Sequence, residues 1–200
     1  SQKFRLEDKL LTKFPAEIQE QTAKIAALKS DAEIAAAHPQ DKENFCGMVI
    51  KGMTYDEKKT AGERLILACM ELPNTEEQLV GSYRGFELSL RFDTFRNEHQ
   101  AVLKGKLKYP VSLGSDPHGN IVRLDNALNA FADRITAAEN ELDTLKQQQT
   151  AAQVEVEKPF PQEEELAQKS ARLAELNAQL DVDEKQHDEP EQEEPKKEDA

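Results

Sequence analysis

The residues best placed to do chemistry are three lysines, Lys104, Lys106 and Lys108, spaced two apart. A spacing of two puts side chains on one side of an extended strand. Arg84, Arg91 and Arg96 lie nearby in sequence, with Tyr83 and Phe95 among them. Between residues 84 and 108, six basic groups stand against Glu87, Asp93 and Glu98 alone. A cationic row on a sheet could contact phosphates, and neighbouring rings could stack bases. The chemistry this pattern offers is nucleic-acid binding. Lysines also serve a plainer purpose on strands, holding an edge in water and blocking edge-to-edge pairing. No established nucleic-acid-binding motif accompanies them.

The segment Gly114-Ser115-Asp116-Pro117-His118-Gly119-Asn120 is the other motif-like stretch. Asp116 and His118 could ligate a metal or move a proton, but one Asp and one His fall short of a ligand set. The segment reads as a Pro/Gly turn that delivers the chain to a helix capped by Asn120. The sequence holds no Gly-x-Ser-x-Gly, no Walker loop, no GxGxxG and no adjacent Cys/His pair. The expectation is a chain without catalytic residues, metal, cofactor or small-molecule substrate.

The elements that must hold the basic row change character along the chain. Phe86, Leu88, Leu90 and Phe92 alternate with polar residues, as in a half-buried strand. Ala101, Leu103, Leu107, Tyr109, Val111 and Leu113 share one parity, interrupted at Gly105, and predict one long strand with a bend. Cys46–Ile50 and Leu79–Tyr83 are further strands, and Lys51-Gly52 and Arg84-Gly85 are tight turns. A helix over Asp56–Leu72, capped by Asp56 or Thr54, places Ala61, Leu65, Ala68, Cys69 and Leu72 on one side. Residues 45–118 therefore form a small α+β domain: a four- or five-stranded antiparallel sheet with one helix on one face. At roughly 70 residues it would gain from outside support.

That support is expected from heptads. Phe4, Leu11, Phe14, Ile18, Ile25, Leu28, Ala32 and Ala35 occupy a and d positions over residues 1–38, with Glu7 and Gln21 as polar exceptions and a kink near Pro15. Ile121, Leu124, Leu128, Phe131, Ile135, Ala138, Leu142, Leu145, Ala152 and Val156 do so over residues 120–158, interrupted only by Gln149. Each run would be about 50–55 Å long. Matched lengths predict a long antiparallel coiled-coil hairpin with the α+β domain inserted at its tip, and Ala32 and Ala35 close to Leu124 and Leu128. A third amphipathic helix, residues 161–180, carries Leu166, Leu173, Leu176 and Leu180. It either folds back on the hairpin or awaits a partner.

Composition agrees with an elongated core. Of 200 residues, 38% are apolar and 32% charged, outside the usual range of a compact globule in both respects. The net charge is −13, of which residues 181–200 supply −7. That acidic, Pro-containing tail is expected to be disordered. Cys46 and Cys69 lack CxxC spacing and read as buried free thiols of a reducing, cytoplasmic compartment. No apolar run approaches a membrane span and no secretion leader opens the chain. Beginning at Ser1 inside a helical pattern, it is expected to be a fragment of a longer polypeptide.

Four collinear blocks carry a family resemblance: Lys3-Phe4-Arg5-Leu6-Glu7-Asp8, Tyr83-Arg84-Gly85-Phe86, Gly119 to Asn126, and Lys158-Pro159-Phe160 to Leu176. Together, over residues 1–180, they resemble the C-terminal region of very large DNA methyltransferase/Swi-Snf-type helicase proteins of bacterial conjugative elements and phages. The resemblance implies that methylase and motor motifs lie upstream of Ser1 and that no catalytic residue maps here. It implies a non-catalytic accessory region that contacts DNA or positions neighbouring modules of the same chain. The alternative is a protein-interaction or dimerisation coiled coil without nucleic-acid binding.

Overall fold

Alternation of apolar and polar residues between Met48 and Ser112 produces a six-stranded, wholly antiparallel sheet in a computed structural model that describes residues 1–41, 43–159 and 161–187. The strands are β1 (Met48–Ile50), β2 (Met53–Tyr55), β3 (Gln78–Tyr83), β4 (Phe86–Asp93), β5 (Glu98–Lys104) and β6 (Lys108–Ser112), in the order β2-β1-β3-β4-β5-β6. Lys51-Gly52 and Arg84-Gly85 form the expected tight turns. Both central residues of each have positive φ (49° and 79°, 47° and 81°), the twist that two-residue hairpins favour. The three-residue strand β2 has no counterpart in the sequence reading, because so short a run shows no alternation.

The predicted long strand over 101–113 is two strands. Residues 105–107 turn the chain back, so that Lys104 pairs with Lys108, Leu103 with Tyr109 and Ala101 with Val111. Parity misled here for a definite reason. A three-residue loop between paired positions keeps odd residues facing one way on both strands. A hairpin with such a loop and a straight strand therefore have the same pattern.

The helices are α1 (Gln2–Asp8), α2 (Phe14–Ala37), α3 (Lys58–Met70), α4 (Pro117–Leu128), α5 (Phe131–Glu157) and α6 (Pro161–His187). A π turn over Lys9–Lys13 joins α1 to α2, with the Phe14 N–H donating to the Lys9 carbonyl. It absorbs Pro15, whose ring nitrogen cannot donate. The wider turn adds a residue and shifts the phase upstream. Leu6 and Leu10 are thus half-buried, while Phe4 and Leu11, expected on the seam, are 71% and 79% exposed. From Phe14 onward the predicted positions do turn inward.

The second heptad run is also divided. Asp116, not Asn120, caps α4 by accepting from the Gly119 N–H at 2.9 Å, and the chain leaves helical form at Asn129-Ala130 before α5. Every predicted seam residue from Ile121 to Val156 is nonetheless buried or half-buried. Asp56 and Thr54 do not cap α3, which starts from an extended Glu57 without a side-chain cap. Gly62 on α3 admits the start of α4, since a Cβ there would lie 2.4 Å from the Pro117 carbonyl oxygen.

The chain divides into two compact units, Ser1–Thr150 and the residues from Ala151 onward. In the first, one core joins Leu88, Leu90 and Leu103 of the sheet to Leu65 of α3, Leu124 of α4, Leu28 of α2 and Phe131 of α5. Gln21 on α2 donates to the Ala138 carbonyl on α5 at 3.0 Å, and Lys29 pairs with Glu139 at 3.3 Å. In the second, α6 runs to His187. Residues 181–187, expected to be disordered, are helical, and no Gly or Pro interrupts them. The rest of the acidic tail, 188–200, lies outside the described residues.

One buried carboxylate fastens α2 to the sheet. Asp31, fully buried, accepts from the Lys106 N–H at 2.6 Å, the Leu107 N–H at 3.0 Å and the Tyr109 hydroxyl at 2.6 Å. Gly105 is required beside it, because a Cβ would meet the carboxylate at 2.3 Å. Asp31→Ala orphans three donors and is expected to cost about 3 kcal/mol or more, measured by urea unfolding.

Candidate interaction surface

The core-facing side of the sheet is occupied by helices, so functional contacts must come from its other side, its loops, or α6. The other side is built by register. Glu87, Ser89, Arg91 and Asp93 of β4 stand opposite Lys104, Val102, Gln100 and Glu98 of β5, and the first three of those opposite Lys108, Pro110 and Ser112 of β6. Lys104 and Lys108 do point the same way, but as a cross-strand pair, with exposed Lys106 at the apex of the turn. The straight lysine row is therefore corrected to a cluster around a hairpin end. Like charges placed opposite each other repel. Here carboxylates relieve them: Lys108 binds Glu77 at 2.8 Å and Lys104 lies 4.0 Å from Glu87.

The three arginines separate. Arg84 is buried, where its Nε donates to the His38 carbonyl at 2.8 Å and its Nη1 to Asp125 Oδ1 at 3.3 Å and Asn129 Oδ1 at 3.2 Å. The Tyr83 hydroxyl donates to the same Asp125 oxygen at 2.6 Å, and burial followed by this bond pushes the phenol's pKa up. Neither residue can reach a ligand. Arg91 is half-buried and spends two donors on Gln100 Oε1, at 3.0 and 2.8 Å. Gln100 in turn donates to Asp93 and Glu98, each at 3.3 Å. Bonds from Ser112 and Gln100 hold the Glu98 carboxyl below its usual range.

Arg96 alone of the three is exposed, in the β4–β5 turn. Asp93 shapes that turn by accepting from the Phe95 and Arg96 N–H groups at 3.0 and 3.1 Å. The result presents Phe95 with 96% of its surface in water.

Asp116 is engaged as a helix cap, and His118 is exposed on the first turn of α4. A cleft of about 320 Å³ nearby is lined by Cys69, Phe92, His99 and Leu113, but by neither Asp116 nor His118. Burial pushes the Cys69 thiol up to about 11, which leaves it protonated and unreactive at neutral pH. Cys46, read as buried, is exposed. Among the described residues no group of three or more His, Cys, Asp or Glu could hold a metal ion, and no helix is long and apolar enough to cross a membrane.

Sequence reasoning missed buried Asp31 and half-buried Asp125, and it gave the buried Asn120 and Arg84 the roles of a helix cap and a nucleic-acid contact. Asn120 sits inside α4 and binds both the N–H and the carbonyl of Gly114, at 2.8 and 3.0 Å. The interruption at Gly105 was the one signal of a close approach. On α6, by contrast, the expected stripe is in plain view, with Leu166, Leu173, Leu176 and Leu180 exposed by 67%, 64%, 51% and 60%.

No family model, no curated protein and no solved structure matches this chain.

The contrast among the arginines can be measured. Arg84→Ala breaks a buried ion pair and is expected to cost about 3 kcal/mol in urea unfolding. Arg96→Ala is expected to change stability by less than about 0.5 kcal/mol.

Proposed function

We propose that this chain is a non-catalytic module that works by binding protein, with α6 as its contact element and the α+β unit as its scaffold. The observation that carries this reading is the exposed leucine stripe. Four leucines on one helical face, each at least half in water, are costly unless a partner covers them. The basic residues of the first unit give a complementary reason. Of those that could have formed a phosphate-binding row, Lys104 and Lys108 face carboxylates, Arg91 is spent on Gln100 and Arg84 is buried, which leaves Lys106 and Arg96 exposed on separate turns. We further infer that α2 and α5 pair along their seams as a coiled-coil hairpin, against which the sheet packs through Leu28 and Phe131. If the resemblance to the C-terminal region of mobile-element DNA methyltransferase/helicase proteins holds, such a module would sit beside a bacterial, cytoplasmic DNA motor and position neighbouring modules.

Contact with DNA is a second reading, favoured by one feature, the exposed Phe95 and Arg96 on a shaped turn. An aromatic ring and a guanidinium there could stack on unpaired bases.

Fluorescence anisotropy with labelled duplex and single-stranded DNA separates the two. Protein binding as the main function predicts no saturable DNA binding near physiological salt. It also predicts that weak binding at low salt is unchanged in K104Q/K106Q/K108Q, because two of these charges are already compensated. A loss of more than about fivefold in that variant, with a salt slope, would restore the lysine cluster as a phosphate site. A comparable loss in Phe95→Ala would favour the stacking turn.

A further inference from the structure

Resting on the protein-binding reading, the charges beside the stripe identify the kind of partner. Helix α6 holds seven acidic residues against Lys169, Arg172 and Lys185, a net of −4. Their placement is ordered. Glu163 and Glu165 precede Leu166, and Asp181 and Asp183 follow Leu180. Eighteen residues separate Glu163 from Asp181 and Glu165 from Asp183, which is five full turns. Glu163 and Asp181 therefore share one side of the leucine stripe, and Glu165 and Asp183 share the other. Both ends of the stripe are bracketed by carboxylates. Two of the cations lie between: Lys169 is paired with Glu165 at 3.3 Å, and Arg172 sits at mid-helix, while Lys185 follows Asp183.

We propose that α6 docks on an amphipathic helix of a different polypeptide segment, whose apolar stripe is flanked at both ends by lysine or arginine. The leucine spacing of seven, three and four residues is that of a helix packing along a seam. The flanking charges choose the occupant. A second copy is disfavoured in either direction. In parallel pairing Glu163 and Glu165 meet their own copies, and in antiparallel pairing they meet Asp181 and Asp183. An anionic membrane surface and nucleic acid are disfavoured by the same carboxylates. A basic-flanked helix complements the leucine stripe and the net negative charge of the helix that carries it.

The test uses the full chain and two synthetic 27-residue peptides with leucines at the α6 spacing. One peptide carries lysine at the four flanking positions and the other glutamate. The lysine peptide is expected to bind saturably, roughly tenfold or more tighter than the glutamate peptide, with weaker discrimination at high salt. The charge-reversed chain E163K/E165K/D181K/D183K should exchange the preference. The chain carrying L166S/L173S/L176S/L180S should lose binding to both peptides.

Equal binding of both peptides, or of neither, would overturn the proposal. So would unchanged binding by the leucine variant, which would mean bare charge attraction. A sedimentation dimer dispersed by the leucine variant would make a second copy the occupant, and uptake by phosphatidylserine vesicles would make it a membrane. Thermal unfolding of the leucine variant separates this proposal from the reading beneath it. Unchanged stability with no peptide preference rejects the charge pairing alone. A lowered unfolding temperature of the sheet makes the stripe part of the chain's own core and rejects both.

Discussion

A single buried carboxylate sets the arrangement of the first unit. Asp31 lies in the C-terminal third of α2, yet its partners come from the β5–β6 turn and β6, more than seventy positions later in the chain. Removing a carboxylate from water is costly, and that cost is offset only when its oxygens receive several donors at once. Two backbone N–H groups and a phenol supply them. Their geometry forces consequences on the neighbours. Residue 105 has room only for glycine, the turn must close after three residues, and Tyr109 must point inward. There its ring lies edge-on to Phe86 and Phe131 and beneath the Arg134 guanidinium, 4.9 Å away. Burial, reinforced by the bond to Asp31, raises the pKa of the Tyr109 phenol, so it remains a donor across the physiological range.

The same economy governs the charges. Three cations on or beside the sheet are balanced locally, Lys108 by Glu77, Lys104 by Glu87 and Arg84 by Asp125. Lys51 and Arg64 converge on Glu71, whose carboxyl they hold below its usual range. A surface whose cations are answered by its own anions projects little field, and surface pairs of this kind add little stability either. Helix α6 differs in its apolar side, which is open, and in its acidic excess, a net charge of −4.

Much of this was legible in the residues, and the failures share a cause. Period-two and heptad patterns report which side of an element is buried. They identified the core sides of α3, α4, α5 and β4, and most of α2. They do not report where an element ends. Hence one predicted strand is a hairpin with a three-residue loop, one predicted helix breaks at Asn129, and a π turn before Pro15 moves Phe4 and Leu11 out to water. Buried polar residues were invisible for another reason. Asp31 beside Leu28 and Ala32 looks like a solvated heptad flank until its distant donors are known. Arg84 looked like a surface cation because it sits in a turn. Only the fold reveals that the turn lies against His38, Asp125 and Asn129.

The central claim is that the α6 stripe is uncovered until a partner arrives. Hydrogen exchange on the isolated chain tests it most directly. A helix without tertiary cover is held only by its own marginal propensity. The amides of α6 are therefore expected to exchange at nearly free-peptide rates, while those of β4 and β5 stay protected. Protection of residues 166–180 comparable to that of the sheet, in a monomeric chain, would contradict the claim.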